Sequence, residues 1–285
     1  MSGKLVVCPT PLGNLGDMPP RALEALRAAD AVCAEDTRVT GKLLVALGIE
    51  GKRLERLDEN VIGERAAEIV SRVANGEVIA SCTDAGMPGV SDPGLRLVRA
   101  ARDAGVDVEV LPGPTAVATA YVTSGCVDPA FYFGGFFPRK DAARTALLAQ
   151  LKQLDAALVF YESPNRLVSA LSSIAAALPH REVAVCRELT KIHEEVVRGP
   201  ASQVMAEFEG RDSVKGEIAI VIDGPNEAER QADAAHATAD AASRARELAE
   251  AGERPKDIAR RLVEEFGISR NEAYDLAVDA KNHGE

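Results

Sequence analysis

The sequence predicts an α/β protein: two α/β domains followed by a helical extension. Three observations predict it. In the first half, short apolar runs alternate with helical stretches, the pattern of a largely parallel sheet covered on both faces. From Phe131 onward the later apolar runs stand closer together, which suits a mixed or antiparallel sheet. After an acidic, alanine-rich segment the chain carries only helical periodicity.

In order along the chain, Leu5-Val6-Val7-Cys8 reads as a buried strand and Pro19 to Ala29 as a helix, with Asp17 near its start. Ala31 to Ala34 is a second strand, and Thr37 to Leu47 a second helix stopped by Gly48. Glu64 to Ala74 has helical periodicity and ends at Asn75-Gly76. Val78 to Cys82 is a strand, Leu95 to Ala104 a helix and Val106 to Leu111 a strand. Phe131 to Phe136 opens the second half, followed by a helix near Ala142 to Leu154. Ala157 to Tyr161 is a strand and Pro164 to Leu178 a helix. Glu182 to Cys186, Glu195 to Arg198 and Glu217 to Ile222 are further strands. Helices are expected over 237–251, 255–266 and 269–281; Ser269 and Glu272 form a capping-box pattern. The expected units are 1–122, 123–225 and 237–285, with 223–236 as a linker.

With 46% hydrophobic residues among 285, the chain can bury a core, which excludes general disorder. No apolar run approaches the ~20 residues of a transmembrane helix. The stretch Met1 to Pro9 lacks a signal-peptide apolar region, so a cytoplasmic location is expected. Five cysteines are scattered without C-x-x-C spacing, and His193-Glu194-Glu195 is not H-E-x-x-H. Neither a disulfide framework nor a metal site is expected. The net charge of −11 argues against a broad nucleic-acid surface, so any such surface is a local patch.

Three loops carry the chemical signal, each directly after an apolar strand. They are Pro9-Thr10-Pro11-Leu12-Gly13-Asn14-Leu15-Gly16-Asp17, Thr83-Asp84-Ala85-Gly86-Met87-Pro88-Gly89-Val90-Ser91-Asp92-Pro93-Gly94, and Pro112-Gly113-Pro114-Thr115-Ala116. Ligands of open α/β sheets bind beyond the carboxyl ends of strands. Glycine lets a ligand approach the backbone, and aspartate can grip an amino group or a ribose. The first loop is neither G-x-G-x-x-G nor a Walker A loop. Each loop alone is equally a turn with helix caps; three at one sheet edge point to a ligand.

These three loops, with A-E-D-T-R, F-Y-E-S-P-N-R, R-E-L-T-K and K-G-E in order, resemble the ribosomal RNA small-subunit methyltransferase I family, a branch of the tetrapyrrole-methylase (class III methyltransferase) fold. The resemblance spans roughly residues 4–223, and the final helices resemble that family's helix-turn-helix-like extension. It implies 2′-O-methylation of a cytidine ribose in the decoding region of 16S rRNA, with S-adenosylmethionine as donor and S-adenosylhomocysteine as product. It also implies a homodimer acting on 16S rRNA or the small ribosomal subunit, and no membrane partner. Carried over residue by residue, the donor lies in a cleft between two α/β domains. Pro11, Asp84, Gly86, Val90, Ser91, Thr115 and Ala116 border it from one side, and Tyr161, Glu162, Leu189 and Gly216 close the adenine side. Many relatives carry a His-Asn-Glu run where this chain has Glu59-Asn60-Val61, so any role of that His and Glu is in doubt here.

A ribose hydroxyl is a weak nucleophile, so a base, or a cation for the developing alkoxide, would help. Lys191 and Glu195, with Glu194 beside them, are candidates, as are Glu35 and Asp36; surface ion pairs are the competing reading of each. For RNA, Arg38 and Lys42 lie one helical turn apart, and Phe137-Pro138-Arg139-Lys140 with Arg144 sets basic groups beside aromatics. Arg254, Lys256, Arg260 and Arg261 precede Phe266-Gly267-Ile268-Ser269-Arg270, which resembles the turn into a recognition helix. Ile258, Ala259, Leu262, Phe266, Ile268, Tyr274 and Leu276 are the expected core of that unit. Two other readings stand beside this one: a tetrapyrrole or corrin methyltransferase, and a non-catalytic helix-turn-helix regulator with a ligand-sensing α/β part.

Overall fold

A computed structural model describes residues 3–282. The chain forms two units that meet in sequence at Gly224 and Pro225.

The first unit holds two five-stranded sheets. The first sheet comprises β1 (Lys4–Val7), β2 (Ala31–Ala34), β3 (Arg53–Arg56), β4 (Val78–Cys82) and β5 (Asp107–Val110), all parallel in the order β3-β2-β4-β1-β5. Its helices are α1 (Pro20–Ala28), α2 (Thr37–Ala46), α3 (Ile62–Ala74) and α4 (Gly94–Asp103). Side-chain alternation along β1 decides which helix covers which face. Leu5 and Val7 pack with Ile62 and Ile69 of α3 and Leu97 of α4. Val6 and Cys8 pack with Ala22 and Leu26 of α1 and Leu44 of α2. Both faces are thus buried, as a parallel sheet requires.

The strand order creates a crevice. From β1 the chain runs across β4 to reach β2, whereas from β4 it runs across β1 to reach β5. The two crossovers leave adjacent strands in opposite directions, and the carboxyl ends of such strands form the ligand crevice of open α/β sheets.

The second sheet comprises β6 (Phe131–Phe136), β7 (Ala157–Glu162), β8 (Glu182–Arg187), β9 (Glu195–Pro200) and β10 (Ile218–Ile222), in the order β6-β7-β10-β8-β9. Only β6 and β7 are parallel. α6 (Asp141–Leu151), α7 (Leu167–Ala177) and α8 (Ala201–Glu209) cover one face through Leu148, Leu171, Ile174, Val204 and Phe208. The other face, with Val159, Ala184 and Ala219, receives Val117 and Ala120 of α5 (Ala116–Thr123). α5 follows β5 of the first sheet but packs on the second, and this ties the two sheets together.

Among its described residues the second unit has three helices: α9 (Glu227–Glu250), α10 (Pro255–Phe266) and α11 (Arg270–Asn282). Their core includes Ala241, Ala245, Ile258, Leu262, Ile268 and Ala277. The expected linker at 223–236 is corrected: it is helical from Glu227. Asn226 caps the helix by accepting from the Glu229 N–H at 2.9 Å, Glu227 and Glu229 favour its amino end, and the alanines carry strong helix propensity. Ser269 does cap α11, accepting from the Glu272 N–H at 3.2 Å. Tyr274, expected in the core, is 52% exposed.

Candidate functional site

The loops after β1 and β4 meet over the crevice. Thr10 and Gly86 exchange backbone hydrogen bonds of 2.9 and 3.1 Å, and the Thr10 hydroxyl donates to the Thr83 carbonyl at 3.2 Å. Gly86 sits at φ +83°, where a Cβ would lie 3.0 Å from Leu12 Cδ2. Further along, the Asp92 carboxylate accepts from the N–H groups of Gly89 and Gly94, between 2.7 and 2.9 Å. That clamp holds Ser91 at φ 69°, a left-handed conformation uncommon outside glycine. The loop is therefore held in this shape by its own hydrogen bonds.

A cavity of about 440 Å³ opens between these loops and the second sheet, within the size range of small-molecule sites. Asp84, Gly86, Val90, Ser91, Thr115 and Ala116 line it from the first-sheet side. Tyr161, Glu162, Leu189 and Gly216 line it from the second. Pro11 does not; its neighbour Leu12 does. Glu35 also lines it, and Lys191 and Glu195 do not.

The electrostatics are lopsided: Glu35, Asp84, Asp92, Glu162 and Glu217 all line the cavity, and among the described residues no lysine, arginine or histidine does. Burial pushes the Glu35 carboxyl up, with the negative Asp84 and Asp92 adding to it, while the Thr83 hydroxyl, donating to Glu35 at 2.8 Å, opposes. Burial also pushes Asp84 up, against the Asp36 N–H that donates to its Oδ1 at 3.1 Å. Glu162 is buried; its Oε1 accepts from the Ser163 N–H at 2.6 Å and pairs with Arg166. Its Oε2 is buried without a hydrogen-bond partner.

The remaining candidates fall elsewhere. Glu195 is clamped by Arg211 and Arg187, each at 2.8 Å, and the Arg211 hydrogen bond leads in pulling its carboxyl down to about 2. It faces neither the cavity nor a proton to take. Lys191 Nζ donates to Glu188 at 2.9 Å and to Glu217 at 3.0 Å, and its stem lies over Gly13, where a Cβ would come within 2.3 Å of Lys191 Cγ. Arg38 chelates Asp36, which caps α2, and this bond holds the Asp36 carboxyl well below the ordinary range. Lys42, Arg139 and Lys140 are exposed. Phe137 and Arg144 are corrected as RNA-facing groups: Phe137 is a core residue, and Arg144 is buried and donates to the Ser169 hydroxyl at 2.8 Å. The exposed aromatic is the adjacent Phe136, which lines the cavity mouth and meets Tyr161 edge-on at 5.6 Å. In the second unit Arg254 and Lys256 are exposed, while Arg260 pairs with Asp257 and Arg261 with Glu253.

Sequence reasoning missed Phe136, Glu217 and Ile218, which line the cavity from the second sheet. The alternation of β6 and the approach to β10 carry no local motif for them. Cys126, Asp128 and Asp223 lie close together, and they are engaged with one another and their neighbours: the Cys126 thiol and the Gly224 N–H both donate to Asp128, and Arg198 pairs with Asp223.

Every cavity residue precedes Gly224. A chain ending there is expected to keep the ligand affinity of the full chain; calorimetry on the truncated protein checks this, and a folded truncation that no longer binds would place part of the site in the second unit.

No helix among the described residues is long and apolar enough to cross a membrane. The sequence profile of the tetrapyrrole (corrin/porphyrin) methylases matches residues 4–205. The chain is 41% identical to "Ribosomal RNA small subunit methyltransferase I" of Mycobacterium tuberculosis over 98% of this chain and 96% of that protein. The protein of the same name from Thermotoga maritima is 41% identical over 222 residues, 78% of this chain and 99% of that one. Among solved structures, a diphthine synthase matches with a TM-score of 0.62 at 16% identity, over 77% of this chain and 90% of that one, a likeness of fold alone. The crevice at the β1–β4 switch, the mixed second sheet and 41% identity to the mycobacterial relative over 98% of the chain converge: the chain belongs to the ribosomal RNA small subunit methyltransferase I family and has the tetrapyrrole-methylase fold.

Proposed function

We propose that the chain methylates the 2′-oxygen of a cytidine ribose in the decoding region of 16S rRNA, with S-adenosylmethionine bound in the 440 Å³ cavity. The single observation that carries the donor assignment is the cavity's acidic lining, with the Asp84 carboxylate only half-buried on it. A half-buried carboxylate among like charges gains when a ligand brings a cation or a hydrogen-bond donor. S-adenosylmethionine carries an ammonium, an exocyclic amine and ribose hydroxyls. Asp84 is the acceptor proposed for one of these groups, Glu162 and Tyr161 back the adenine side, Gly86 and Ser91 give backbone access, and Leu12, Val90 and Leu189 form an apolar wall for a base.

The donor supplies an already activated methyl group. What remains for the chain is alignment and handling of the hydroxyl proton. Glu35 is the proposed base, because its raised pKa makes it a better acceptor than an ordinary carboxylate. Lys191 is the proposed cation beside the developing alkoxide, at the rim next to Glu217. Exposed Arg38, Lys42, Arg139, Lys140, Arg254, Lys256, Arg260 and Arg261 are the proposed phosphate contacts, with Phe136 as a stacking surface. A homodimer and a cytoplasmic location belong to the same proposal; Phe131 and Tyr132, exposed on the edge strand β6, support the dimer. The test is mass mapping of ribose methylation in 16S rRNA from cells lacking the chain. Loss of one cytidine 2′-O-methyl group, restored by the gene, is expected; an unchanged map overturns the substrate.

The raised Asp84 pKa gives a pH prediction with a definite sign. An ammonium ligand needs the carboxylate, so donor affinity is expected to fall on acidification at a pH above the ordinary ~4. A carboxyl whose pKa is raised on folding adds stability below its unfolded pKa and loses that contribution as pH rises through the folded one. Acidification through this window therefore weakens binding while Asp84's own contribution to stability grows. Calorimetry and melting curves across pH read both; affinity and melting temperature falling together would mean simple acid unfolding.

A further inference from the structure

The connection between β8 and β9 holds two non-glycine residues in the left-handed region, Glu188 at φ 53° and Thr190 at φ 64°. Leu189 between them lines the cavity. Such conformations persist only where the surroundings over-determine them, and they concentrate at functional sites.

The surroundings of Glu188 are specific. Its N–H donates to the Glu217 carbonyl at 2.9 Å, and its Oε1 accepts from the Glu217 N–H and from Lys191 Nζ, both at 2.9 Å. Its side chain occupies the space a Cβ on Gly216 would need, 2.5 Å from that position, and Gly216 itself is at φ +95°. Lys191 in turn fills the corresponding space over Gly13. Two glycines from different loops thus accept two side chains of one short segment. One carboxylate joins the rim lysine to the entry of β10, where Gly216 and Glu217 line the cavity.

We infer that Glu188 is a positioning residue for methyl transfer: its carboxylate fixes the Lys191 ammonium and the Gly216–Glu217 backbone at the cavity rim. This rests on the role proposed above for Lys191. The other charged groups bearing on the pair are Glu217, which shares the ammonium at 3.0 Å, Arg187, paired with Glu195, and Glu194, which accepts from the Thr190 N–H at 2.6 Å. Burial lowers the Lys191 pKa, but its hydrogen bonds to Glu188 and Glu217 outweigh that and raise it overall. Removing the Glu188 charge makes the ammonium easier to deprotonate.

The test uses full-length chain, radiolabelled S-adenosylmethionine and small subunits from cells lacking the enzyme. Lys191→Met is expected to lower kcat at least tenfold. Glu188→Gln keeps an acceptor for the Glu217 N–H, and it is expected to lower kcat about tenfold, the scale of one charge-assisted hydrogen bond, with KM for the donor unchanged. In the Lys191→Met background Glu188→Gln should cost nothing further. The alkaline limb of the kcat profile should move to lower pH in Glu188→Gln but not when Lys191→Arg is also present, since a guanidinium does not titrate there. Gly216→Ala, which displaces the Glu188 side chain without changing charge, is the second variant and should also lower kcat. Full activity of Lys191→Met overturns the role of Lys191 and the inference with it. A crippled Lys191→Met beside a fully active Glu188→Gln, or losses that multiply in the double variant, overturns the Glu188 inference alone.

Discussion

Asp84→Ala is expected to weaken binding of S-adenosylmethionine about ten- to a hundredfold, the size of a lost charge-assisted hydrogen bond of roughly 1.5–3 kcal/mol. Asp84 stands at the carboxyl end of β4, in the crevice, with its carboxyl half withdrawn from water. Folding pushes its pKa up. A partly buried carboxylate in an acidic cavity gains when a cation arrives, because the ligand relieves both its desolvation and its repulsion from Asp36. The competing role is architectural. Asp84 Oδ1 accepts from the Asp36 N–H at 3.1 Å, and Asp36 caps α2, so Asp84 also fixes the amino end of that helix. Asparagine separates the roles: it keeps an acceptor for the Asp36 N–H but has no charge. The structural share is worth ~1 kcal/mol, or about 2–4 °C in melting temperature for a chain of this size. Asp84→Asn is thus expected to melt near the wild type and to bind the donor with intermediate affinity. Unchanged affinity with a lowered melting temperature in Asp84→Ala would make the residue purely structural and remove this loop from the proposed donor site.

The site's first-sheet side was legible because its signal is local. A buried strand followed by glycine, proline and aspartate has few uses, and the three loops that show it all reach the cavity. The second-sheet side was legible only in part. Tyr161, Glu162, Leu189 and Gly216 came from a resemblance of motifs, and Phe136, Glu217 and Ile218 were missed, because strand register, parallel between β6 and β7 and antiparallel between β7 and β10, brings them together from distant segments. Strand β3 was missed for a different reason. Arg53-Leu54-Glu55-Arg56 has no apolar run; Glu55 is buried, yet paired with Arg53, Arg65 and Arg72, so an edge strand is held by ion pairs rather than by hydrophobic alternation. α8 escaped notice because only Ala201, Val204 and Phe208 of its nine residues are buried. At 227–236 the composition of a linker and of a helix is the same, and the Asn226 cap decides between them. Phe136 and Phe137 show the limit of composition: adjacent aromatics in one motif, one exposed at the cavity mouth and one in the core.

Gly113→Ala is expected to be the most damaging single-methyl change near the site. Gly113 lies in the turn between β5 and α5, and its backbone needs no left-handed conformation, so the effect is steric alone. A Cβ there would stand 2.3 Å from Pro9 Cγ, 2.5 Å from Pro9 Cβ and 3.1 Å from Pro19 Cγ. Proline rings cannot rotate aside as a long side chain can, so the two loops must part. Pro9 leads into the Thr10–Gly86 bridge and Leu12, while Gly113 leads into Thr115 and Ala116, all at or beside the cavity. Overpacking of this kind costs about 1–3 kcal/mol, which is several degrees of melting temperature. Because the strain is released where the loops face each other, donor affinity is expected to fall as well. Gly51→Ala is the control: its φ of +67° carries a backbone cost, but no atom lies within 4 Å of the new Cβ and the cavity is not involved. That variant should lose stability and keep its affinity, whereas Gly113→Ala should lose both. If Gly113→Ala binds the donor as the wild type does, the contact between the loops after β1 and β5 does not shape the site.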